Sequence, residues 1–206
     1  MEIKNNKTES FVIGCILGAV PALFCFVTAW FVSAALLDER VVPIVALSGL
    51  GAGIIIDIAF LKQWVKKAYQ LNSKILAAIY IFYSIGVLGF CMGLPILNFG
   101  VGIIAGIYTA RKMHHINIDE KEYGRNIKKT ALFSAVVMML MCCLTGAWAL
   151  VGSMIGSRFE SPVLSFTFTV PILVGIVLTG GLVLSLLQYW LTVMAAKITT
   201  KAWYRI

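Results

Sequence analysis

The chain has 206 residues, of which 60% are hydrophobic and only 13% charged, and a formal net charge of +8 at pH 7. A soluble domain carries about 25% charged residues, so this composition excludes water as the solvent for most of the chain and leaves no length for a separate folded soluble domain. The positive charge does not point to nucleic acid, because the bases sit in short polar segments beside apolar runs, which is the topology signal of membrane proteins.

In chain order, the polar stretch MEIKNNKTES leads into an apolar run from Phe11 to Leu37. That run is far longer than the apolar core of a signal peptide and reads as a first membrane span. The second, Val41–Leu61, has 21 residues and at about 1.5 Å per helical residue covers a hydrocarbon core of roughly 30 Å. Backbone N–H and C=O groups in lipid must be bonded within their own segment, so such a run is expected to be helical. Lys62, Lys66 and Lys67 close it. The third and fourth spans, Ile75–Gly93 and Leu94–Ala110, meet at the turn signal Gly93-Leu94-Pro95, where Pro suits the first turn of the next helix. Ala131–Ser153 and Val163–Met194 complete the set. The expected fold is therefore all-α, a single bundle of six transmembrane helices.

Orientation follows from the bases. Those near the N-terminus, in Lys62–Lys74, in Arg111–Lys129 and from Lys197 onward fall on one side, and only Arg40 and Arg158 on the other. Such a bias predicts a cell-membrane protein with both termini in the cytoplasm. Spans two, four and six share Val42-Pro43-Ile44, Leu94-Pro95-Ile96 and Val170-Pro171-Ile172. This is either a weak internal repeat, as transporters carry, or the chance likeness of apolar segments with Pro at a helix start.

The connecting segments carry their own signals. Lys62–Lys74 alternates bases with Trp64, Tyr69 and Leu71 and reads as a helix lying on the anionic leaflet; the tail from Lys197, with Trp203 and Tyr204, repeats the pattern. Arg111–Lys129 is the longest polar loop. Ser165–Val170 alternates with period two. Residues 154–169 thus fit either a lid over the outer mouth or the start of one long tilted helix.

Few residues could carry chemistry. Asp57 is the only acid in any apolar run. An ionisable group there is costly and is either paired, with Lys62, Arg111 or Lys128 as candidates, or an ion-coupling site. Gly14, Gly18 and Ala22 form a stripe of small residues on the first span, and Gly49/Gly53, Gly89/Gly93, Gly102/Gly106 and Gly152/Gly156 repeat the spacing. Small residues let helices approach closely in lipid; the stripe serves internal packing or docks a second membrane protein. Trp30, Asn98, Trp148 and Phe168 come from different spans at one outer depth, together with Arg40, Phe90, Arg158 and Glu160. An apolar pocket with a few polar groups is what a small ligand needs, whereas Trp at this depth also serves as a headgroup belt. His114 and His115, near Asp119, Glu120 and Glu122, have no fixed helical spacing and read as a solvated loop, so no metal is expected. The five Cys lie in apolar runs with no CxxC spacing and read as small apolar fillers. No hydrolase, zinc-protease or nucleotide-binding signature is present, so neither an enzyme nor a cofactor is expected.

Six helices with both ends inside, a small-residue stripe at Gly14, Gly18 and Ala22 and a candidate lid make a layout that resembles the substrate-binding S components of energy-coupling factor vitamin transporters. The resemblance covers the whole chain in layout, without a vitamin-specific motif. It implies that the first-helix stripe meets a transmembrane coupling subunit, and that a small solute binds near Trp30, Asn98, Trp148 and Phe168 and is handed inward with a partner ATPase. Two other readings stand beside it: a membrane accessory or scaffold subunit without a ligand, and an ion-coupled carrier using Asp57. In each, the partners are the lipid bilayer and another membrane protein or a small solute, not nucleic acid. A tag inserted between Arg111 and Lys129 is expected to resist impermeant reagents on intact cells; labelling from outside would reverse the layout.

Overall fold

The computed structural model describes residues 7–90, 95–116, 119–154 and 170–203. Among them every long element is an α-helix: α1 (Lys7–Leu36), α2 (Val42–Lys66), α3 (Ser73–Phe90), α4 (Asn98–His115), α5 (Glu120–Met154) and α6 (Val170–Trp203), with short 3-10 turns at Ala68–Gln70 and Pro95–Leu97. The all-α expectation holds. Four segments, Phe11–Leu36, Val42–Lys66, Glu122–Val151 and Val174–Lys201, are long and apolar enough to cross a membrane. The apolar part of α3, Ser73–Gly89, is shorter, and α4 ends in Lys112, His114 and His115.

The helices run past the ends that hydropathy marks. α2 continues to Lys66, α4 to His115 and α6 to Trp203, while α5 begins at Glu120. Hydropathy reads only the part suited to lipid, and Lys, Arg and Glu are good helix formers that prolong the ladder beyond it. The surface helix expected over Lys62–Lys74 is instead the last turn of α2 followed by the 3-10 turn, with Trp64 stacked on Phe60 at 6.0 Å between ring centroids. Of the long loop expected from Arg111 to Lys129, Arg111–His115 belongs to α4 and Glu120–Lys129 to α5. Bases in the last turn of α4 complement the partial negative charge at a helix C-terminus. Pro43 stands in the first turn of α2, where its missing N–H costs nothing. The candidate lid, 155–169, lies outside the described residues.

The chain divides into two compact units, Met1–Ile79 and Tyr80–Ile206. In the first, α1 and α2 form an antiparallel hairpin closed by a turn in which Val41 N–H donates to the Asp38 carbonyl at 2.9 Å. Their seam is backbone against backbone. A Cβ added at Gly49 would stand 2.6 Å from the Cys25 carbonyl oxygen, and one at Gly53 would stand 2.7 Å from that of Pro21 and 2.6 Å from Ala22 Cα. Further along, side chains fill the seam: Leu61 and Asp57 lie 3.4 and 3.6 Å from the Cβ position of Gly18, and Val65 lies 3.8 Å from that of Gly14. Pro21, inside α1, leaves the Leu17 carbonyl without its helical donor. Transmembrane helices tolerate this because neighbours and local adjustments satisfy the freed group.

In the second unit α4, α5 and α6 pack on one another, and α3 contributes Tyr80 and Leu88 to a core with Val137 and Met141, where the Tyr80 ring meets Phe133 edge-on at 5.4 Å. A second core joins Ala110, Ile127 and Ala196. Above it the Tyr123 and Thr200 hydroxyls bond to each other. Again glycine sets the approach: a Cβ at Gly106 would stand 2.4 Å from the Thr192 carbonyl oxygen, and one at Gly146 would stand 2.5 Å from Val177 Cγ1.

The outward faces are apolar. Ile58 is 81% exposed, Leu36 76% and Trp148 75%, a distribution that lipid favours and water does not. Hydroxyls on these faces bond within their own helix, Ser48 to the Ile44 carbonyl at 2.7 Å and Thr179 to that of Gly175 at 2.6 Å, which removes their hydration need. Gly53→Val should lower the unfolding stability of the detergent-solubilised protein by about 1–3 kcal/mol, the usual cost of overpacking. Gly51→Ala, with nothing within 4 Å of its Cβ position, should leave stability unchanged or raise it. Equal effects from the two substitutions would show that the seam is not tight.

A buried polar cluster as candidate functional site

The helices of the second unit carry polar residues within apolar runs, at helical spacing on α3 and α6. α6 carries Ser185, Gln188 and Thr192; α3 carries Tyr80 and Ser84; α5 carries Ser134 and Met138; and α4 opens on Asn98. These faces converge. Gln188 is fully buried at 0% exposure and Asn98 at 1%. The Gln188 amide nitrogen donates to the Tyr80 hydroxyl at 3.1 Å and to the Asn98 backbone carbonyl at 3.3 Å. The Asn98 amide nitrogen donates to Met138 Sδ at 3.7 Å, a weak acceptor. The Ser134 and Thr192 hydroxyls lie 3.0 Å apart; one donates to the other, and the hydroxyl that accepts donates to its own helix, Ser134 to the Ala131 carbonyl or Thr192 to that of Gln188. The Ser84 and Ser134 hydroxyls flank the Tyr80 phenol.

Glycine makes the cluster possible. A Cβ at Gly102 would fall 1.8 Å from the Gln188 amide nitrogen and 3.0 Å from the Thr192 hydroxyl. The Gln188 side chain thus lies flat over α4 in a space that any larger residue at 102 would occupy. The cluster is nonetheless not self-satisfied. Among the described residues, Asn98 Oδ1, Gln188 Oε1 and Ser185 Oγ are buried without a hydrogen-bond partner. An unpaired buried polar atom of this kind costs about 1–3 kcal/mol, so three in one unit are not retained for stability.

The residues singled out in the sequence are distributed as follows. Asn98 lies in the cluster. Trp148 is exposed on α5, and Trp30, 43% exposed on α1, packs its ring against Phe26 at 6.0 Å. Phe168, Arg158 and Glu160 lie outside the described residues, and so does the side chain of Phe90. Gly14, Gly18 and Ala22 all face α2, so this stripe serves the hairpin seam. Asp57 reaches across that seam toward Gly18. Its Oδ1 is buried with no hydrogen-bond partner among the described residues, so the expected pairing with a base does not satisfy this oxygen. Of the other glycine pairs, Gly49/Gly53 and Gly102/Gly106 are contact points, and Gly89 has nothing within 4 Å of its Cβ position. His114 and His115 stand edge to face in the last turn of α4, and the described residues contain no group of three metal-ligating side chains. Beside them, partial burial pushes the Lys112 amine below the ordinary lysine range. Cys15, Cys25, Cys142 and Cys143 are free thiols.

Sequence reasoning passed over Gln188, Ser185, Thr192, Ser84 and Ser134. The legible signal was Ser-x-x-Gln-x-x-x-Thr on α6 and Tyr-x-x-x-Ser on α3, polar residues on one face of otherwise apolar helices. Compared with known proteins, the chain matches no family model, no curated protein and no solved structure.

Proposed function

We propose that this chain is a multi-pass membrane subunit that binds a small polar solute inside its second unit and passes it across the membrane with the help of an energising partner complex. In this reading all six helices span, both termini are cytoplasmic, and the cell membrane is the site of action. The observation that carries it is the pair of fully buried amide oxygens, on Asn98 and Gln188, that no described residue satisfies. Burying polar groups unpaired in an apolar interior is unfavourable, and a guest that bonds them converts the cost into affinity. The partner is part of the proposal because the chain carries no nucleotide-binding signature of its own. Native mass spectrometry of gently extracted protein should show a retained small molecule, lost in Gln188→Leu. A retained protein with no small molecule would replace this reading with that of a scaffold subunit.

Asp57 supports a second reading, an ion-coupled carrier. An acid in a span whose Oδ1 lacks a partner suits a coupling ion better than a structural ion pair. On this reading, liposomes holding the wild-type chain dissipate an imposed proton or sodium gradient faster than those holding Asp57→Asn. Equal rates would remove it.

A further inference from the structure

The orphaned atoms also describe what they lack. Both amide nitrogens of the cluster are engaged, that of Gln188 with Tyr80 and the Asn98 carbonyl, and that of Asn98 with Met138. On Gln188 both N–H groups are thereby used, and each of the two side chains keeps an unpartnered carbonyl-type oxygen, which accepts hydrogen bonds and cannot donate them. Ser185 Oγ, one turn from Gln188 on the same helix face, adds a hydroxyl. An anion would meet the two amide oxygens, which repel it, and no Lys, Arg or His lies between Ile75 and Phe90, Asn98 and Ala110, Thr130 and Met154, or Val170 and Ala196 to offset its charge. Those same stretches hold no Asp or Glu, so a cation would bring a net charge into an apolar interior without a counter-charge. Burying an unpaired charge costs far more than burying a neutral polar group.

We infer that the Asn98–Gln188 cluster binds a small uncharged solute through its hydroxyl or amide N–H donors, and that it rejects carboxylates and ammonium ions of the same size. This rests on the solute-binding reading above and names the chemical class of the solute. Ser185 takes part as a binding group, not as a support of the fold: as an unpartnered buried hydroxyl it contributes nothing to stability that alanine would lose.

The test is equilibrium binding to the full chain in detergent micelles, with radiolabelled glycerol and acetamide as neutral donor probes and lactate and methylammonium as charged probes of similar size. Saturable binding of at least one neutral probe is expected, at least tenfold tighter than that of either charged probe. The substitution Ser185→Ala should weaken the neutral probe at least tenfold while the unfolding midpoint stays level or rises. Asn98→Asp, which keeps the oxygen and adds a negative charge, should shift preference toward methylammonium. Tighter binding of lactate or methylammonium to the unaltered protein, a fall in midpoint with Ser185→Ala, or no binding of any probe would overturn the inference. If native mass spectrometry then still showed a retained molecule, the solute-binding reading would stand and only the assigned class would fall. If it showed none, both would fall.

Discussion

The structure depends on how closely two helix backbones can approach where lipid is the solvent. Lipid tails are as apolar as leucine, so no hydrophobic force pushes the helices together, and association rests on van der Waals packing and interhelical hydrogen bonds. In the hairpin, Gly49 and Gly53 lie directly against the Cys25 and Pro21 carbonyls. In the second unit Gly106 lies against the Thr192 carbonyl in the same way. Dispersion falls off steeply with distance, so a seam with no Cβ in the way gains along its whole length what single contacts cannot. The glycine pairs act less as flexible points than as the removal of an obstacle.

The same device places the chemistry. Gly102 is one turn from Gly106, yet it lies against an amide instead of a backbone. The space that brings α4 toward α6 at Gly106 becomes, at Gly102, the bed of the Gln188 side chain. Packing and polarity are therefore linked at one helix pair, and any residue larger than glycine at 102 would expel the amide as well as separate the helices. Tyr80 and the Asn98 carbonyl take the two donor positions of that amide. This fixes which way its oxygen faces, and the assignment is not arbitrary, because a carbonyl can only face the nitrogen.

The hairpin shows the other outcome of small residues. Where glycines on α2 meet the α1 backbone, the seam is closed. Where glycines on α1, at Gly14 and Gly18, meet α2, the larger side chains Val65, Leu61 and Asp57 lie over them. Gly18 thus makes room for a carboxyl in the way that Gly102 makes room for an amide. Both polar groups sit on one helix opposite a glycine on its neighbour, and both keep one oxygen without a partner.

The sequence alone was enough to determine the solvent and the class of fold. With 60% hydrophobic residues in runs of span length, the backbone has helix as its only way to satisfy itself in lipid, and that argument needs no tertiary contact. Helix ends were read short at Lys66, His115 and Glu120 because hydropathy marks where lipid stops, while helical hydrogen bonding continues through charged residues. Glycine spacing likewise announced close packing at Gly49/Gly53 and Gly102/Gly106, but spacing is symmetric as to what lies opposite. Only the tertiary structure decided that the Gly14 stripe faces α2, that Asp57 reaches toward Gly18, and that Ser84, Asn98, Ser185 and Gln188 from three helices belong to one cluster. The physical reason is that a lone polar residue in an apolar run carries no record of its neighbours; convergence depends on the rotation of each helix about its axis, which packing sets.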